Sequence, residues 1–189
     1  MASSEVEIAN LALLALGKPG LTSLNDSGNP ALLIRAAYEP TVREVLRMHP
    51  WRCCRRKTVL SADPNATPEF GFDDACTLPA DFIRVVKVND NLDQYQVVGK
   101  HLHIDDDAPE LTYTARRTED YFDAGLVSTI AARLAVRICF SLTDNASLLK
   151  DLRQDYAILS RDAMFADAMD GAPEDQPIST FDEARLSEP

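Results

Sequence analysis

Histidine is scarce in this chain of 189 residues, occurring only at 49, 101 and 103, and no C-x-x-C pair joins its four cysteines. The missing C-x-x-C argues against a zinc ribbon or a thioredoxin-like site. No G-x-S-x-G, G-x-G-x-x-G or phosphate-loop pattern occurs, so the sequence signatures of a nucleophile elbow, a dinucleotide fold and a P-loop are missing. No apolar run approaches the ~20 residues of a bilayer span. The longest helical candidate in the C-terminal half carries Arg133 and Arg137. The opening Met1-Ala2-Ser3-Ser4-Glu5 lacks the basic start and apolar core of a signal peptide, and the expectation is folding in a cytoplasm. Basic residues are outnumbered, 19 against 30 acidic, for a formal net charge of −11. Such a surface is poorly suited to grip nucleic acid as a whole. No internal repeat or low-complexity tract is visible.

What is present is a helical pattern at each end and a strand-like middle. Apolar spacing predicts a first helix from a Ser3 or Ser4 cap to Gly17 and Pro19. Its apolar residues cover more than one stripe, as in a helix packed on two sides. A second helix is expected from an Asn29 cap, with Pro30 at its first position, to His49 before Pro50. Pro40 lies in its interior and predicts a kink or break. Residues 51–60 read as a strand and 61–77 as a loop. A half-buried strand follows at Phe82–Val88, then a hairpin around Gly99-Lys100 with a type II′ turn, then a strand at Leu111–Ala115. A third helix capped by Asp120 or Asp123 repeats Phe122, Leu126, Ile130, Leu134, Ile138 and Leu142 every fourth residue. A turn at Thr143-Asp144-Asn145 leads to a fourth, antiparallel helix. The predicted class is α+β: a bundle of four main helices with a small antiparallel β region inserted between helices 2 and 3. The divisions are 1–50, 51–117, 118–171 and an extended tail, 172–189.

Few residues are arranged for chemistry. His101 and His103 share one strand face ahead of Asp105, Asp106 and Asp107, but a metal needs ligands from three or four directions. A solvated hairpin face is the expected reading. Cys53, Cys54, Cys76 and Cys139 are expected as reduced, packed thiols, with neighbouring arginines that would lower the pKa of Cys53 or Cys54. No catalytic, metal or cofactor residues are assigned. Arg52, Arg55, Arg56 and Lys57 form a basic cluster, a candidate inter-subunit or DNA-proximal contact. The tail is polar and acidic, with Ile178, Phe181 and Leu186 as spaced apolar anchors beside Arg185. These four are candidates for docking onto a partner.

Several phrases, taken in order, resemble the tail tubular protein A family of short-tailed bacteriophages. They are Ile8 through Lys18 with Leu24-Asn25-Asp26; Pro50-Trp51 with the basic strand after it; Leu78-Pro79-Ala80-Asp81-Phe82-Ile83-Arg84-Val85; and Tyr95 through Leu102. Leu111-Thr112-Tyr113 with Arg116, Phe122-Asp123, Ala131 through Ala135, and Leu142-Thr143 complete them. The resemblance covers about residues 5–170, and Pro40 and Cys53-Cys54 depart from it. It implies a structural virion protein and not an enzyme: a head-to-tail adaptor forming a ring, typically dodecameric, between the portal and the tail nozzle. Double-stranded DNA would pass transiently through its lumen. The partners implied are other copies of itself, the portal protein and the nozzle protein, with no membrane. Its location would be the virion neck, and the host cytoplasm during assembly. The rival readings are a metal-dependent enzyme, through His101 and His103, and a nucleic-acid-binding module.

Overall fold

The computed structural model describes residues 4–68, 71–89 and 94–170. Helices α1 (Glu5–Ala15), α2 (Asn29–Met48), α3 (Ala124–Thr143) and α4 (Ala146–Met169) bracket six strands. The strands are β1 (Arg55–Val59), β2 (Asp74–Thr77), β3 (Phe82–Val88), β4 (Tyr95–Val98), β5 (His101–Ile104) and β6 (Glu110–Ala115). The fold is α+β, with the β region inserted between α2 and α3.

Helix boundaries follow local capping chemistry. Ser4 accepts the N–H of Glu7, Asp123 that of Leu126 and Asn145 that of Leu148, each satisfying a first-turn amide with no partner inside the helix. Helix α2 begins one residue earlier than expected. Gly28, at φ +134°, takes the cap position, and Asn29 is already helical. Of the kink or break expected at Pro40, the break does not occur: α2 runs unbroken through it. The far end of α2 is closed by side chains from outside. The indole N–H of Trp51 donates to the Val45 carbonyl at 3.0 Å, and Arg84 donates to those of Arg47 and Met48. These are among the last carbonyls of the helix, which have no acceptor role within it, and a cation there also opposes the helix dipole.

Helix α3 lies at the centre, packed against α1, α2 and α4. By length and hydropathy alone it could cross a bilayer, but these three helices surround it. Its stripe Leu126, Ile130, Leu134 and Ile138 is buried with Ile8, Leu13, Ile34, Val42, Leu46 and Trp51 in one core. The loop before α2 is pinned by Asn10, whose amide both donates to and accepts from the backbone of Leu21. Within that loop the Asp26 carboxylate accepts the N–H groups of Ser23 and Thr22, which hold its pKa below the usual carboxylate range.

The β region forms two antiparallel three-stranded sheets, in the orders β1-β6-β3 and β2-β5-β4. A second core joins them, with Leu60, Val88, Leu111 and Tyr113 from one side and Cys76, Leu102 and Ile104 from the other. Two sequence expectations are corrected here. A short 3-10 turn, Arg52–Cys54, precedes β1, so the strand starts at Arg55 and not at Trp51. The stretch read as a loop up to Thr77 ends in strand β2. The hairpin lies where expected, and of its two turn residues only Gly99 has a positive φ, the type II′ pattern.

Candidate functional site at the helix-to-sheet junction

The chain turns from α2 into β1 around Pro50 and Trp51. Trp51 is fully buried, and His49 meets its ring edge-on at 5.0 Å between centroids. The last turn of α4 closes onto this corner through Asp167. Its carboxylate contacts His49 Nε2 at 2.8 Å and accepts the peptide N–H of Arg52 at 2.9 Å. The backbone carbonyl of Asp167 accepts Arg52 Nε at 2.8 Å. Asp167 and its ligands thus tie the end of α4 to residues more than a hundred positions earlier in the chain. No sequence signal pairs these residues, because the contact is made only after the chain has folded back.

The four basic residues expected to act as one cluster are separated by this geometry. Arg52 is held by Asp167, and Arg55 Nε donates to the Pro50 carbonyl at 3.0 Å. Arg56 pairs with Asp81 at 2.8 Å, and Asp81 also accepts the Tyr113 hydroxyl. Lys57 is exposed, and neither it nor Arg55 meets a carboxylate among the described residues. The candidate docking residues Ile178, Phe181, Arg185 and Leu186 lie outside the described residues.

A second charged group binds the helices together. Glu44 on α2 accepts from Arg133, at 2.5 Å, and from Arg137, both on α3. The Arg133 guanidinium lies over the Tyr156 ring of α4, 5.4 Å from its centroid. A third group centres on Arg116, which bonds Glu39 and Glu119 while the Tyr38 hydroxyl donates to Glu119. Burial first, and then the Glu119 charge, push the Tyr38 hydroxyl far above its usual pKa. In each group one carboxylate or guanidinium bridges two or more elements, a structural role.

The histidine hairpin differs from its expectation. Leu102 and Ile104 face the core between the sheets, so His101 and His103 share the opposite face of β5, as the alternation requires. That face is not solvated at His103, which is 3% exposed. His101 lies 3.7 Å from Asp63. Among the described residues no three His, Cys, Asp or Glu side chains converge as a metal site would need. The expectation for the adjacent thiols is also corrected at Cys54. The neighbouring thiol of Cys53, then burial, drive its pKa up, and these outweigh the nearby guanidinium of Arg117. A buried, protonated thiol is a poor nucleophile.

A search against models of protein families gives no match, and a search of curated proteins gives none.

Proposed function

We propose that this protein is a structural virion component, a head-to-tail adaptor that closes into a ring of roughly twelve copies between a portal and a tail nozzle. It works by complementary shape and breaks no substrate bond. The observation that carries the reading is a pair of exposed apolar stripes on two different helices. On α1, Leu11 and Leu14 face outward, Leu14 with 72% of its surface exposed. On α4, Ile158, Phe165 and Met169 do so, Phe165 with 67% exposed. Leu14 borders a groove of about 550 Å³, and Ile158 one of about 490 Å³ beside Gly125 and Ala163. Side chains this large left in water mark contact surfaces.

Two different patches on one chain favour head-to-tail contact, in which the α1 stripe of one copy meets the α4 stripe of the next. Repetition of such a contact closes into a ring without a two-fold axis. Helix α4, at 24 residues, is about 36 Å long and long enough to form part of a ring wall. The net charge of −11 suits a DNA conduit, because fixed negative charge repels the phosphate backbone. The β region offers a separate face for the nozzle, and residues 172–189 an arm for the portal.

Leu14→Asp and Phe165→Asp test the interface. Each is expected to leave the monomer folded, since both sites are exposed, and to abolish rings. Mixing the two variants should yield a dimer and nothing larger, because only one intact α1–α4 pairing remains available. Light scattering reads the masses. Rings persisting in both variants would rule out these stripes as the interface.

A further inference from the structure

Cross-strand register regroups basic residues that the junction separates. In the sheet β1-β6-β3, Arg55 and Arg84 both lie opposite Thr114, and Lys57 and Lys87 both lie opposite Thr112. Directly paired residues share a sheet face, and so do residues two apart along a strand. Four cations, two from each outer strand, therefore stand on one face around Thr112 and Thr114. Arg56, one position out of step, belongs to the opposite face, where it pairs with Asp81. On β1 the two rows are ~7 Å apart, and β1 and β3 are ~10 Å apart across β6.

The guanidiniums of Arg55 and Arg84 are aimed by carbonyls, that of Pro50 for the first and those of Arg47 and Met48 for the second. A carbonyl orients a guanidinium without removing its net charge, and leaves donors over. Among the described residues neither arginine nor the exposed Lys57 meets a carboxylate. Arg47 adds a cation beside Arg84 at the end of α2, and is likewise held by a carbonyl, that of Ile83. Glu110, opposite Val59, is the one acidic residue among the paired positions of this face. The strands of the other sheet contain no lysine or arginine. On a chain of net charge −11 this is a local concentration of the opposite sign.

The partner's chemistry follows from what the face lacks. None of its paired positions is aromatic, and Val59 is its one exposed large aliphatic. A protein interface is built around an apolar, aromatic-rich centre, and a single-strand site around stacking rings. An array of cations suits the phosphate backbone of a duplex, which carries one charge per ~3.4 Å of axis along each strand.

We propose that this face of β1-β6-β3 contacts the phosphate backbone of double-stranded DNA through Arg55, Lys57, Arg84 and Lys87, without reading its sequence. The duplex is the one that the adaptor threads through its ring, so the inference rests on that reading for its setting and turns this face to the lumen. The net charge keeps DNA from adhering elsewhere, and the cationic face meets it weakly. Binding itself needs neither ring nor portal, and its failure leaves the α1–α4 contact standing.

Fluorescence anisotropy of a short labelled duplex, titrated with the full chain at low ionic strength, tests it. Saturable binding is expected, weakening by roughly three decades for a tenfold rise in salt, as three or four phosphate contacts require. Lys57→Glu/Lys87→Glu should lose about a hundredfold in affinity, and Lys57→Glu alone, at an exposed site, about tenfold. Arg35→Glu/Arg153→Glu makes the same change in net charge at exposed helix positions and should lose less than about threefold. No binding by the natural chain, or equal losses in the two double variants, would overturn the proposal. Equal competition by polyglutamate would overturn it too, by giving the face to an acidic protein.

Discussion

Trp51→Ala should cost about 4 kcal/mol and leave the helical core barely stable. The side chain is fully buried among α2, α3 and the junction, so its loss opens a cavity that the rigid corner at Pro50 cannot collapse to fill. It also strips the Val45 carbonyl of its donor at the end of α2. Leaving a buried acceptor unpaired adds about 1 kcal/mol or more to the cavity cost. Trp51→Phe separates the two effects. It keeps most of the apolar volume and loses only the N–H, and should cost about half as much. Urea unfolding read by far-ultraviolet circular dichroism measures both. An alanine variant within 1 kcal/mol of the natural protein would mean that the junction is not part of the cooperative core.

Asp167→Ala is the second large effect, expected near 3 kcal/mol. One carboxylate accepts from the peptide N–H of Arg52 and contacts the His49 ring, in a site where the Asp167 side chain is only 6% exposed. Truncation leaves both partners without an acceptor and frees the last turn of α4 from the junction. Asp167→Asn retains an oxygen for the Arg52 amide and should cost only about 1 kcal/mol. Hydrogen exchange locates the damage. The amides of α4 after Ser160 should lose protection first in the alanine variant, while those of Leu126–Ile138 persist. If all four helices lose protection together, the clamp is wrongly placed at the edge of the core.

The parts of the fold legible in the sequence were those written locally. Ser4 and Asp123, each one of two expected candidates, cap their helices, the expected turn at 143–145 supplies the cap Asn145, and the fourfold spacing from Leu126 to Ile138 marks the face that α3 buries. The hairpin at Gly99 was legible because a two-residue turn fixes its own register. What escaped was non-local. Strand β2 has four residues and owes its form to β5, thirty positions on, so the segment reads as loop in isolation. The order β1-β6-β3 joins the two ends of the β region, and no local pattern encodes it. Arg133 and Arg137 stand out on the third helix, but Glu44, their partner, lies about ninety residues earlier. The basic run from Arg52 to Lys57 looked like one surface. Arg52, Arg55 and Arg56 instead meet Asp167, Pro50 and Asp81 separately, because a 3-10 turn and a strand point successive side chains in different directions.

These contacts bear on the adaptor proposal through rigidity. A subunit repeated in a ring must hold its two patches at a fixed angle, since a small error per copy prevents closure. Helix α4 carries one proposed patch and α1 the other, and α3 packs against both. The Asp167 clamp fixes α4 at its far end, and the Glu44 group joins α2, α3 and α4 in the middle. The exposed stripes are then free to serve neighbours, because the apolar demands of the fold are met by other residues.

The mass and shape of the particle formed when the purified protein is mixed with a phage portal assembly test the central claim most directly. Light scattering and electron microscopy together should show a closed collar of roughly twelve copies stacked coaxially on the portal. A protein that stays monomeric at every concentration and joins no portal would contradict the claim.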